Sequence, residues 1–150
     1  MDKQELLKTC AECLLEVAPM LRGTFNSYIH KEVDRTQWVT PGQTRLLYLI
    51  DQGVINISAL ALRQKTSAPT ISRQVDCLVE KGMVVRERQR DDRRVVTLTL
   101  TPRGKEVLYS IMQSTREWIA QNLAALETAQ LEEIIQSLEL LREIFKPGTK

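Results

Sequence analysis

At 150 residues the chain has one domain's length, with 43% hydrophobic residues for a core and only 5% aromatic ones, so that the core must be aliphatic. No run of eighteen apolar residues and no basic-then-apolar leader occurs, so neither a membrane span nor a signal peptide is expected and a cytoplasmic location is. Cys10, Cys13 and Cys77 are odd in number, which argues against a disulfide framework, and the net charge of +2 is unremarkable until it is divided along the chain.

From residue 4 to about 33, Leu7, Cys10, Leu14, Val17, Leu21 and Phe25 recur at three and four, the period of one long amphipathic helix. Pro19 lies inside it and predicts a kink or a break in two, because it lacks an N–H and clashes with the preceding turn. Thr36 to Thr40 reads as a loop. Thr40-Pro41 opens a helix carrying Leu46, Leu47, Leu49 and Ile50, and Gly53 ends it. Val54 to Ile57 is short and β-branched, long enough for one small strand. Ser58 is the expected cap of a short helix with Leu60, Ala61 and Gln64 at helical spacing.

Two or three residues beyond that helix, Ser67 caps a second one, with Pro69 in its first turn where a missing N–H costs nothing. This helix is expected over about fourteen residues, Ala68 to Lys81, with Gly82 supplying the left-handed position that ends it. Ile71, Val75, Leu78 and Val79 fall on one side of it, while Pro69, Thr70, Arg73, Asp76 and Glu80 point away. Two helices joined by so tight a turn make a helix-turn-helix. Val84 and Val85 begin a β-favouring run, and Val95 to Leu100 make a second, joined through a charged tip. The pair is a hairpin appended to the helix-turn-helix, a wing.

Thr101-Pro102 then starts a helix of about two dozen residues with Val107, Leu108, Ile111, Met112, Ile119, Leu123 and Leu126. Thr128 caps its successor, lined by Leu131, Ile134, Ile135, Leu138, Leu141 and Phe145, and Pro147-Gly148 closes the chain. The expected class is mainly α with a small β wing, a winged helix-turn-helix in the order α-α-β-α-α-β-β-α-α. The face from Leu131 to Phe145 is too apolar for a solvated tail, so a partner surface is expected, a second copy of the chain first. The alternative is a monomer whose terminal helices pack on each other.

Charge supports a nucleic-acid partner. Residues 58 to 105 hold eleven Lys and Arg against five acids, a balance of +6, whereas the remainder carries ten against fourteen, −4. The surplus coincides with the winged segment, as a face that meets phosphates requires. A charged run that merely solvates a surface does not account for that coincidence. The second helix would present Ser67, Ala68, Pro69, Thr70, Ser72 and Arg73. Arg73 reaches a guanine edge or a phosphate and Thr70 a thymine methyl, with Ser67 a cap first and Ser72 open to being an ordinary polar helix residue. In the wing, Arg88, Arg90, Arg93 and Arg94 flank a turn too polar to pack, and an arginine at such a tip fits a narrow minor groove.

Catalysis is not expected. His30 is the single histidine, so no Ser-His-Asp set can be assembled without it, and no Gly-rich phosphate loop is present. No cofactor is implied. No metal site is expected either, since Cys10-x-x-Cys13 offers two ligands without a second pair, and on an apolar stripe cysteine is usually a small core hydrophobe.

Three stretches in this order and spacing, TPGQTRLLYLI, LALRQKTSAPTISRQVDCLVEKGMV and DDRRVVTLTLTPRG, resemble the MarR family of winged helix-turn-helix transcriptional regulators. The winged helix-turn-helix part of the likeness covers residues 58 to 105, with TPGQTRLLYLI ahead of it, and departs at Lys65 and Thr66, where members often have Gly and an apolar residue. It implies a single domain over 1–150, with a DNA-binding part at 34–102 and dimerisation helices at 1–33 and 103–147 that interleave between two subunits. Function would be that of a sequence-specific double-stranded DNA-binding homodimer on an inverted-repeat operator, a repressor released by an effector. By the same resemblance Arg94 inserts into the groove and Asp92 is the acid that holds it, the alternative being that Asp92 pairs with any neighbouring arginine and only shapes the turn. A small aromatic or anionic effector would lodge near Trp38, Arg45 and Tyr48, which otherwise serve packing. Some relatives sense oxidants through a cysteine near the start of the first helix, which makes Cys10 and Cys13 redox candidates. The reading from another class is a winged-helix module whose partner is protein, distinguished by the absence of steep salt dependence on DNA.

Overall fold

The computed structural model describes residues 1–146 and divides into two compact units, residues 1–115 and residues 116 onward. The closing Pro147-Gly148 lies outside the described residues.

Helix α1 runs Lys3–Thr36 from a reciprocal cap in which the Glu5 amide donates to Asp2 Oδ1 and the Asp2 amide to Glu5 Oε2. Pro19 does not break it in two. Proline in a helix interior costs about 3 kcal/mol, yet the helix continues unbroken on both sides of it. The helix ends at Gln37, whose backbone is left-handed and whose amide returns to the Val33 carbonyl. Val33 is buried and Ile29 packs on the core beside it, so the C-terminal turns of α1 are anchored. Toward its start Leu7, Cys10, Val17 and Leu21 are exposed.

Helix α2 spans Pro41–Asp51 behind the Thr40 cap, whose hydroxyl accepts the Gln43 amide while Gln43 Oε1 accepts the Thr40 amide. It buries Leu46, Leu47, Leu49 and Ile50, and Gly53 turns the chain at φ 92°. Helix α3 spans Ile57–Gln64, and here expectation and structure part twice. Its cap is Asn56, whose Oδ1 accepts the Ala59 amide at 2.8 Å, and Ser58 is already helical. Because the helix begins there, Val54 and Ile55 are too few to pair as a strand. What remains of the expected third strand is one hydrogen bond from the Leu98 amide to the Ile55 carbonyl at 2.9 Å.

Helix α4 spans Ala68–Glu80, capped by Ser67 and followed by Gly82 at φ 70°. Ile71, Val75 and Leu78 are buried as the period predicts, while Val79, expected with them, sits at the edge of the face and is exposed. Strands β1, Val84–Arg88, and β2, Val96–Leu100, pair antiparallel from Val84 opposite Leu100 to Arg88 opposite Val96. Helix α5, Pro102–Leu123, starts from Thr101, whose hydroxyl accepts the Gly104 amide and donates to the Gly82 carbonyl at 2.6 Å. The core of the first unit is aliphatic, centred on Leu46, Leu47, Leu60, Ile71, Leu78, Met83, Leu98, Leu108 and Ile111.

In the second unit α5 ends at Leu123, so Leu126 falls in the following turn and not on the helix. Helix α6, Thr128–Ile144, is capped one residue earlier than expected, at Glu127, whose amide donates to Gln130 Oε1, and Thr128 is its first helical residue. It buries no residue: Ile135, Leu138 and Phe145 stand exposed. No helix among the described residues is long and apolar enough to cross a membrane.

Candidate nucleic-acid interface

The turn between α3 and α4 is held by Lys65 in the left-handed region, φ 52° and ψ 46°, a conformation that a residue with a Cβ adopts at a cost. Its amide returns to the end of α3, and the Thr66 amide to the Ala61 carbonyl. This places Ser67 to start α4 at once. Ser67 Oγ accepts the Thr70 amide and lies 2.8 Å from Thr70 Oγ1, so the two hydroxyls partner each other as well as the cap. Ala68 and Pro69 are exposed at the helix start, Thr70 and Ser72 are half-buried, and Arg73 is exposed. The first turns of α4 therefore offer one long cation and a small, largely apolar tip.

The wing carries its charge outward. The Gln89 amide closes the hairpin on the Val95 carbonyl, leaving a five-residue tip over which Arg90, Asp92, Arg93 and Arg94 are exposed, as is Arg88 before it. Asp92 Oδ1 accepts the Arg94 amide at 2.9 Å and the Val95 amide bonds the Asp92 carbonyl. Asp92 thus holds Arg94 through its backbone, a turn that a carboxylate two residues ahead makes readily. Among the described residues Arg73, Arg88, Arg90, Arg93 and Arg94 have no ion pair, so five guanidinium groups on this side of the first unit remain available for an external anion.

Two cations that the charge count includes are used internally. Lys81 Nζ donates to the Trp38 carbonyl at 3.1 Å and to Gln43 Oε1 at 3.0 Å, bracing the C-terminal end of α4 against the start of α2. Arg86, on β1, pairs with Asp76 at 2.8 Å. Neither role is readable from local sequence, because the partners lie on other elements.

A cavity of about 400 Å³ opens between α1, α2 and α5, lined by Asn26, Ile29, His30, Pro41, Gly42, Thr44, Arg45, Tyr48 and Met112. Arg45 and Tyr48 therefore meet there. Trp38 is not among the lining residues; it is 46% exposed. Sequence reasoning missed Asn26 and His30, whose spacing of four on α1 puts them on one helix face. Nearby, Glu32 accepts from Arg35 Nη2 at 3.0 Å, and this hydrogen bond holds its carboxyl below the ordinary carboxylate range, with burial opposing. Cys10 and Cys13 are exposed rather than packed, and Cys77 is half-buried. No cluster of three or more His, Cys, Asp or Glu side chains able to hold a metal occurs among the described residues.

A family model described as MarR family matches residues 39–96, from the loop before α2 to the first residue of β2. A putative transcriptional regulatory protein for the hcr operon of Thauera aromatica is 31% identical over 112 residues, 74% of this chain and 68% of that protein. The HTH-type transcriptional regulator YpoP of Bacillus subtilis, itself uncharacterized, is 28% identical over 123 residues, 82% and 84% of the two chains. Among solved structures, a MarR transcriptional regulator from Methanosarcina mazei superposes with a TM-score of 0.66 at 27% identity, covering 88% of this chain and 95% of that one. The transcriptional regulator Tm0710 from Thermotoga maritima reaches 0.74 over 89% and 94%, at 20% identity a likeness of fold alone.

Proposed function

Because this chain belongs to the MarR family of DNA-binding transcriptional regulators, we propose that it reads its operator with Ser67, Ala68, Pro69, Thr70, Ser72 and Arg73 of α4. Arg88, Arg90, Arg93 and Arg94 of the wing hold the flanking backbone and minor groove, with Asp92 orienting the tip. The observation that carries this reading is the set of five unpaired arginines distributed over the groove helix and the wing of one unit. Phosphate contacts position such a protein and release counterions, and base-edge contacts from α4 supply preference.

The working form is a homodimer. Apolar side chains left exposed along one face of α1 (Leu7, Val17, Leu21) and of α6 (Ile134, Ile135, Leu138) support it, since water-facing aliphatic rows of this extent mark an interaction surface. Two copies of α4 would enter successive major grooves of an inverted repeat with half-sites about 10 bp apart. Sedimentation at micromolar concentration should give twice the 17.2 kDa chain mass, and a single-chain species would sink the dimer. The protein acts by binding rather than by catalysis, in the cytoplasm, and as a repressor.

Release by a small anionic or aromatic effector is supported by the cavity that brings Arg45 and Tyr48 together. Such a ligand shifts regulation only through its different affinity for two arrangements of the dimer. A second route to release, oxidation of Cys10 or Cys13, is favoured by the exposure of both thiols. Replacing both by Ser should then abolish peroxide-dependent loss of DNA.

Selection of binding sites from random duplex DNA, followed by titration of the winner across a salt series, tests the whole reading. An inverted repeat bound far more tightly than scrambled DNA is expected. Weak enrichment, with affinity that collapses in moderate salt, would mean backbone binding only.

A further inference from the structure

We propose that Arg86 is a positioning residue for DNA reading: by occupying the Asp76 carboxylate it keeps Arg73 free to meet the operator. The proposal rests on the reading of α4 as the helix that enters the groove, and adds to it a residue from the base of the wing. Arg86 crosses from β1 to the exposed side of α4, where Nη2 lies 2.8 Å from Asp76 Oδ1 and donates to Ser72 Oγ at 3.4 Å and to the Ser72 carbonyl at 3.5 Å. One guanidinium thus ties the strand to two successive turns of the helix.

Asp76 stands three residues after Arg73 on the same exposed side, a spacing at which opposite charges on a helix pair. Left alone, its carboxylate would draw Arg73 back along the helix and repel phosphates approaching α4. Arg86 removes both effects, because a guanidinium whose Nη2 is held by a carboxylate oxygen and a serine is an oriented partner, whereas Arg73 on a free stem is not. The outcome is visible in the ion pairs: Asp76 is engaged by Arg86, and Arg73 has none among the described residues. The side chains of Arg86 and Asp76 are 37% and 54% exposed, so the pair adds little to folding. Its effect is on which arginine the DNA finds available.

The test compares the parent protein with Arg86→Met, Asp76→Asn, the Arg86→Met/Asp76→Asn double variant, Arg86→Lys and Arg73→Ala. Each is titrated against the duplex recovered by selection and a scrambled duplex of the same composition, with thermal melting alongside. Arg86→Met should bind the selected duplex about tenfold more weakly, within the range of one lost bidentate base contact. The scrambled duplex should suffer much less, and melting should not change. Adding Asp76→Asn should restore selected-duplex affinity to within about twofold of the parent, since the acid that captures Arg73 is then gone. Arg86→Lys, which keeps the charge but replaces the guanidinium by a more flexible ammonium, should fall between parent and Arg86→Met. A double variant as weak as Arg86→Met would overturn the proposal, because Arg86 would then touch DNA itself or merely shape the wing. Arg73→Ala separates the two levels: if it leaves selected-duplex affinity intact, the reading of α4 fails, whereas loss with Arg73→Ala and no rescue by Asp76→Asn refutes the role of Arg86 alone.

Discussion

Substituting Gly104 by Ala should unfold the first unit more easily, against the usual preference of helices for alanine. Gly104 lies in the first turn of α5, where Ala is normally better by about 1 kcal/mol. Here an added Cβ would lie 2.1 Å from the Met83 carbonyl oxygen, 3.0 Å from its carbon and 3.3 Å from its Cα. Ordinary contact requires about 1 Å more, and the obstacle is backbone, which cannot swing aside as a side chain does. The same carbonyl accepts the Thr101 amide at 3.0 Å, so moving it also strains the bond that seats the end of β2 before α5. Overpacking of about 1–3 kcal/mol and a weakened hydrogen bond of about 1 kcal/mol outweigh the helical gain, leaving a net loss of about 2 kcal/mol. Gly23, inside α1, is the control, because a Cβ added there would meet nothing within 4 Å: Gly23→Ala should be neutral or stabilising by up to about 1 kcal/mol. Urea unfolding followed by circular dichroism reads both. Equal midpoints for Gly104→Ala and the parent would refute the close approach of α5 to Met83.

The arginines of the interface should separate by what they read. Arg73→Ala should cost about 1–3 kcal/mol on the selected operator and relax preference at one base pair, whereas Arg94→Ala should weaken all duplexes alike and reduce the salt slope by about one. Equal loss of preference from both, in competition binding, would contradict that division. Lys65→Gly should raise stability by about 0.5–1 kcal/mol in the same urea assay, because relief of the left-handed strain exceeds the entropy that glycine adds to the unfolded chain. A loss would show that the turn is not under strain. For Glu32, the Arg35 hydrogen bond depresses the folded-state pKa, so its small contribution to stability is present above the unfolded carboxylate pKa and is lost as pH falls through the folded value. Arg35→Ala should move the Glu32 titration upward by NMR and be less stable than the parent only on the neutral side of that window. A gap that persists at low pH would assign the effect to packing instead.

What the sequence determined by itself lies within a few residues of its cause. The caps at Thr40, Ser67 and Thr101, the proline starts, the glycine stops at Gly53 and Gly82 and the periods of α1, α2, α4 and α5 each follow from hydrogen bonds spanning three or four residues. That locality made the helix-turn-helix, its wing and the outward arginines legible. Competition between equally local signals was not legible: Asn56 and Ser58 both cap well, and choosing Asn56 shortened the preceding extended run below strand length. Contacts that span the chain were beyond any periodic pattern. Arg86 on Asp76, Lys81 on Gln43, Gly104 against Met83 and the cavity shared by His30 and Arg45 join residues that only packing brings together. Tertiary structure therefore decided which of many similar cations are tied down and which remain available to an external anion, because a charge is engaged or available according to its neighbours in space and not its place in the chain.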